Sequence, residues 1–216
     1  MKISAVIFDL DGTILEDEDE YGRAFNKVLK SLGVDSKTFI PQAKGVGVKE
    51  NWFALIKKYN IKTNKSPEVL AMETQEAYLR EINEITIRPG FSEFAEDLKD
   101  SGIPIALATS NNWEVTEKIL NKVGLQAVFE AVTTVEEVAR SKPDPALFTL
   151  TADKLGVEME ECLVIEDSPS GVEAAQSAGM KVVAVSDKVE DEKILANADL
   201  IVDHFAEITP KVIAGL

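Results

Sequence analysis

Apolar residues follow two different rhythms along this chain. From Ile103 onward, short apolar runs alternate with longer stretches whose apolar positions recur every three or four residues. Ile103 to Ala108, Ala131 to Thr134, Cys162 to Ile165, Lys181 to Val185 and Leu200 to Val202 read as strands, with Glu114 to Val123, Pro145 to Leu155 and Gly171 to Ala178 as helices between them. Ile3 to Phe8 is another buried run, and it stops abruptly at the polar stretch Asp9 to Thr13. Strands apolar on both faces and linked by crossover helices predict a parallel sheet covered on both sides.

Residues 16–85 have only the helical rhythm, in Tyr21 to Leu32, Lys49 to Tyr59 and Pro67 to Ile82. Arg88-Pro89-Gly90 then marks a turn before a helix over Glu93 to Asp100. The expected fold class is therefore α/β: a doubly wound, Rossmann-like parallel sheet formed by residues 1–15 and 86–216, with residues 16–85 inserted as an all-helical cap. Hinges are expected at residues 15–17 and 84–88. The acidic run Glu16 to Glu20 is read as solvating the start of the first cap helix, where the helix dipole favours carboxylates. Trp52 and Phe53 on the second cap helix are read as packing residues.

Charge narrows the partners. The 216 residues include 38 acidic and 23 basic side chains, a net charge of −15 that repels nucleic-acid backbones and anionic lipid. No apolar run approaches a membrane span, and Ile3 to Phe8 is too short for the core of a secretory signal. The single cysteine, Cys162, lies in an apolar run and reads as strand packing in a reducing compartment. A cytoplasmic monomer is expected. Such a protein can still bind a small anion where a metal ion, a lysine and backbone N–H groups converge.

The candidate chemistry lies just past the strand ends, where ligands bind in an open α/β sheet. Asp9, Asp11, Gly12 and Thr13 follow the first strand; Thr109, Ser110 and Asn111 follow the Ile103 strand. Lys142 follows the Ala131 strand, and Glu166 and Asp167 end the Cys162 strand. Together they suit phosphoryl transfer. Hard carboxylate oxygens hold Mg²⁺, a lysine and a hydroxyl offset charge on phosphoryl oxygens, and one carboxylate attacks phosphorus while another moves a proton. Asp9 is the candidate nucleophile and Asp11 the acid and base. Lys44-Gly45-Val46-Gly47-Val48-Lys49 combines flexible glycines with two lysines, and carries two readings: exposed surface lysines, or a cap loop bringing Lys44 and Lys49 to the substrate. His204, the one histidine, falls outside these clusters.

Asp9-Leu10-Asp11-Gly12-Thr13, Thr109, Lys142 and Glu166-Asp167 resemble, in order and strand context, the four motifs of the haloacid dehalogenase-like superfamily. Ser141-Lys142-Pro143-Asp144-Pro145 and the text from Ile165 to Val172 resemble the branch containing β-phosphoglucomutase and sugar-phosphate phosphatases. The resemblance spans nearly the whole chain. It implies Asp9 as nucleophile and metal ligand, the Asp11 carbonyl on the metal and its side chain as acid and base, and Thr109 and Lys142 on the phosphoryl group. Asp167 would complete a Mg²⁺ site, with Glu166 beside it or acting through water.

The mutases of that branch have a histidine near Tyr21 and an arginine just after Gly45-Val46-Gly47, where this chain has Tyr21 and Val48. Hydrolysis of a small phosphorylated metabolite, a sugar phosphate above all, is thus expected over β-phosphoglucomutase activity. A receiver-like signalling module would share the acidic residues, hydroxyl and lysine, but gives no reason for a helical insertion after the first strand.

Overall fold

The computed structural model describes residues 2–34, 43–188, 191 and 193–216. In chain order the strands are β1 (Ala5–Phe8), β2 (Leu15–Glu16), β3 (Thr86–Ile87), β4 (Ile105–Ala108), β5 (Ala131–Thr133), β6 (Cys162–Glu166), β7 (Lys181–Val185) and β8 (Leu200–Val202). The helices are α1 (Glu18–Ser31), α2 (Val48–Tyr59), α3 (Pro67–Leu79), α4 (Phe91–Asp100), α5 (Trp113–Val123), α6 (Ala146–Leu155), α7 (Pro169–Ser177) and α8 (Pro210–Ile213).

Six strands form one sheet of order β5-β4-β1-β6-β7-β8, and every neighbouring pair is parallel. The chain winds from β1 outward through β4 to β5, then crosses back to β6 and winds the other way. A crevice opens at the carboxyl ends where the winding reverses, between β1 and β6. Asp9 follows one of these strands and Glu166 ends the other, so the topology alone brings two acidic groups together.

Alternate residues of the buried strands feed two apolar layers. Val6, Phe8, Leu107, Leu163 and Ile165 face one layer, where the Phe8 ring lies edge-on to Phe91 at 5.4 Å. Ala5, Ile7, Cys162 and Val164 face the other, against Phe148 and Ala175. Burial raises the Cys162 thiol to about 11, as befits a packed strand residue rather than a nucleophile.

The inserted helices pack on one another and onto the first layer. The buried Trp52 ring lies 5.5 Å from Phe25, and its indole N–H donates to the Thr74 hydroxyl at 2.8 Å. Phe53 corrects the packing assignment: at 54% exposed it faces water, because one helical step turns it about 100° away from Trp52. The two segments at which hinges are expected, residues 15–17 and 84–88, also meet one another. The two crossing segments pair antiparallel, Leu15 opposite Ile87 and Glu16 opposite Thr86, as a ribbon whose two-residue strands are too short to show an alternating pattern. Among the described residues no helix is long and apolar enough to cross a membrane.

Candidate active site

The site is built on the turn after β1. The Asp9 N–H donates to Ile165 O at 3.0 Å, extending the β1–β6 ladder by one residue and aiming Asp9 into the crevice. Gly12 then adopts a φ of 79°, which a side chain resists, and a Cβ there would stand 2.8 Å from Asp167 Cγ. The Thr13 hydroxyl donates to Asp167 Oδ1 at 3.1 Å. Arg88, which the sequence offers only as part of a turn, clamps this loop from outside. Its guanidinium donates to the carbonyls of Gly12 at 2.6 Å and Thr13 at 3.1 Å.

Lys142 lies beneath the crevice, fully buried, over the Phe148 ring. Its ammonium donates to Asp9 Oδ1 and, at 2.7 Å, to Glu166 Oε1. Burial acts to lower the lysine pKa, but the two carboxylates outweigh it and keep the ammonium charged. Burial pushes the Asp9 carboxyl up to about 7, against the pull of Lys142 and with a further push from Glu166. Lys142→Ala would strand two buried acids, and should cost about 3–5 kcal/mol of folding stability. Urea unfolding measures this; a loss under ~1 kcal/mol would mean that the lysine does not hold the pair together.

Glu166 has little left to offer as a direct metal ligand. Besides Lys142 it accepts from the N–H groups of Asp167 and Ser168 at 2.8 and 2.7 Å and from the Ser168 hydroxyl at 2.8 Å. Carboxylate oxygens of Asp9, Glu166 and Asp167 nevertheless gather within 4.8 Å of one another, all buried. Burial, then the charges of Glu166 and Asp9, raise the Asp167 carboxyl well above the usual range. So dense a set of hard oxygens, offset by one buried lysine, fits a small dication such as Mg²⁺.

Asp11 lines the same cavity as Asp9 in a different setting. Asn111 Nδ2 donates to its Oδ2 at 2.7 Å, and the Tyr21 hydroxyl donates to Asn111 Oδ1 at 2.5 Å. Burial, followed by the charge and hydrogen bond of Asp17, raises the Asp11 carboxyl well above the usual range. Asp17 itself departs from the solvating role expected of the acidic run. It is only 1% exposed, because the turn from β2 into α1 folds it inward beneath α3.

Thr109 is buried at the end of β4, where its hydroxyl accepts the Asn111 N–H at 3.1 Å. It does not cap α5; Asn112 does, accepting the Val115 N–H at 2.9 Å. The cap loop closes over this floor. The Ser110 hydroxyl donates to Gly45 O at 2.9 Å and the Ser170 hydroxyl to Lys44 O at 2.8 Å. Gly45 has a φ of 69°, and a Cβ there would stand 2.8 Å from Ser168 Cβ, so only glycine lets the loop seat this closely.

The cavity of about 70 Å³ is lined by Asp9, Asp11, Asp167, Ser110 and Asn111 from the core and by Tyr21, Phe25, Lys44, Val46 and Val48 from the cap. Of the two loop lysines, only Lys44 reaches it. Its ammonium pairs with Glu18, lies 3.5 Å from Asp191 and 3.9 Å from Asp167. Lys49 stays half-exposed beside Glu50 at 3.7 Å, outside the cavity. His204 is exposed near the carboxyl end.

The family model for haloacid dehalogenase-like hydrolases matches residues 6–185. A phosphorylated carbohydrates phosphatase of Thermotoga maritima is 32% identical over 202 residues, covering 92% of this chain and 93% of the relative. CbbY from Rhodobacter sphaeroides, solved in complex with phosphate, superposes with a TM-score of 0.85 at 26% identity, over 99% of this chain and 100% of that one. β-Phosphoglucomutase from Clostridium difficile superposes with a TM-score of 0.84 at 27% identity, over 99% and 96% of the two chains.

Proposed function

The chain belongs to the haloacid dehalogenase-like hydrolase family, and from that premise we propose that it is a Mg²⁺-dependent phosphatase that hydrolyses a small sugar phosphate through an aspartyl phosphate on Asp9. One observation carries this most: Asp9, pinned by Lys142, and Asp11, held by Asn111, face one small cavity. An ionised carboxylate and a protonated one side by side are what attack on phosphorus with protonation of the leaving oxygen requires.

In this mechanism Asp9 attacks phosphorus while Asp11 gives its proton to the departing oxygen. Asp11 then takes a proton from the water that hydrolyses the aspartyl phosphate. Lys142 and Thr109 hold phosphoryl oxygens, with Gly12, Thr13, Ser110 and Asn111 supplying neighbouring N–H and side-chain donors. Asp9, Asp167 and the Asp11 carbonyl would hold Mg²⁺, with Glu166 anchoring the adjoining backbone, and the ion would supply positive charge against the phosphoryl oxygens. Lys44 is the cap residue assigned to the substrate; Lys49 is left to the surface. The enzyme is proposed to act as a cytoplasmic monomer.

Hydrolysis is favoured over isomerisation by the cap wall. A mutase must hold a second phosphate while its bisphosphate turns round, yet Tyr21 is bonded to Asn111 and the wall beside it is Phe25, Val46 and Val48. Purified protein supplied with sugar monophosphates and Mg²⁺ should release inorganic phosphate steadily. With β-glucose 1-phosphate and its bisphosphate activator, little glucose 6-phosphate should form. Isomer conversion outrunning phosphate release by about tenfold, a barrier difference near 1.4 kcal/mol, would decide for the mutase.

A further inference from the structure

Asp17 stands at the N-cap of α1, where an aspartate ordinarily accepts an N–H of the helix's first turn, but its side chain makes no such bond. Instead Oδ1 accepts the Gly12 N–H at 3.0 Å, and Oδ2 accepts the Tyr78 hydroxyl at 2.5 Å. The same hydroxyl lies 3.4 Å from Asp11 Oδ1. Tyr78 comes from α3 on the cap and is fully buried, its ring stacked on Tyr21 at a centroid distance of 3.8 Å. Tyr21 in turn reaches Asp11 from the other side through Asn111. A capping residue has thus turned from its own helix to the loop that carries Asp11.

We infer that Asp17 and Tyr78 are positioning residues for proton transfer: they fix the Asp11 carboxyl toward the leaving-group oxygen, and they do so only while the cap is seated. Asp17 anchors the loop through Gly12, and Tyr78 spans Asp17 and Asp11, so a hinge residue and a cap residue jointly orient a core residue. The step served is the first one. As a bond forms between Asp9 and phosphorus, the bond from phosphorus to the ester oxygen breaks, its electron pair stays on that oxygen, and the oxygen takes the Asp11 proton. The inference rests on the phosphatase reading of the site.

Leaving-group dependence tests it. Phenyl phosphate and p-nitrophenyl phosphate are similar in size, but the phenolate is more basic and needs a proton more. Values of kcat/KM report the steps up to phosphoenzyme formation, so a later hydrolytic step cannot mask the difference. Asp17→Ala is expected to lose kcat/KM about tenfold more on phenyl phosphate than on p-nitrophenyl phosphate, a part of what general acid catalysis supplies. Asp17→Asn, which keeps an acceptor for Gly12, should recover part of the loss. Tyr78→Phe, which keeps the stacked ring, should show the same split to a smaller degree. Equal losses on both esters in Asp17→Ala and Tyr78→Phe, or no loss in either, would overturn the inference while leaving the phosphatase reading intact. A wild-type protein inert toward both esters and toward sugar monophosphates would overturn both.

Discussion

Asp9→Asn is expected to reduce phosphate release by more than ~10³-fold while the protein stays folded. The amide keeps the shape of the carboxyl and one oxygen for Lys142, so the β1 turn and its ladder bond to Ile165 are undisturbed. On the proposed mechanism the change removes the oxygen that attacks phosphorus, along with one proposed ligand of the metal. Stability should hold or rise slightly, because the wild-type carboxyl is costly to bury, as its rise to about 7 records, and Lys142 retains Glu166 as a charged partner. Circular-dichroism melting and a phosphate assay on one preparation decide the matter. Appreciable turnover by a well-folded Asp9→Asn protein would remove Asp9 as the nucleophile.

Metal removal should be as severe. Asp9, Asp17, Glu166 and Asp167 are buried around the crevice, Asp11 is half-buried beside them, and Lys142 is a buried cation set among them. EDTA is expected to suppress phosphate release by more than ~10³-fold. Mg²⁺ should restore it, and Ca²⁺ should substitute badly because its longer, looser coordination spoils in-line attack. Binding can be read without turnover: a ligand held only by the folded state, at a hundred times its Kd, adds about 2.7 kcal/mol of stability. Mg²⁺ should therefore raise the melting temperature of the wild type, and raise it less in Asp167→Asn. Full activity after exhaustive chelation, or no Mg²⁺ shift in melting, would take the dication out of the site.

The lysine pair at the cap shows where sequence stops being informative. Lys44 and Lys49 sit on the same short stretch with glycines between them, and nothing in their types separates them. The difference comes from seating: Ser110 and Ser170 hold the carbonyls of Gly45 and Lys44, which carries Lys44 over Asp167 and leaves Lys49 on the outer face of α2. Trp52 and Phe53 divide in the same way, adjacent in sequence and opposite in exposure.

By itself the sequence determined the doubly wound sheet, the helical insertion and the four strand-end clusters holding Asp9, Asp11, Thr109, Lys142, Glu166 and Asp167. Those features are local: a strand's apolar run, a helix's three-to-four spacing and a polar residue just past a strand end can each be read within a few residues. Only the tertiary structure decided what surrounds Asp11. Asp17 meets Tyr78 across 61 positions, Asn111 meets Asp11 across 100, and Arg88 meets the carbonyl of Gly12 across 76. Such pairings leave no periodic trace, because they depend on how the cap helices settle on the sheet. An aspartate in an acidic run looks like any solvated charge until packing closes over it. The same packing withholds water from its carboxyl and sets Tyr78 and Gly12 in its place, which turns a surface-like residue into part of the site.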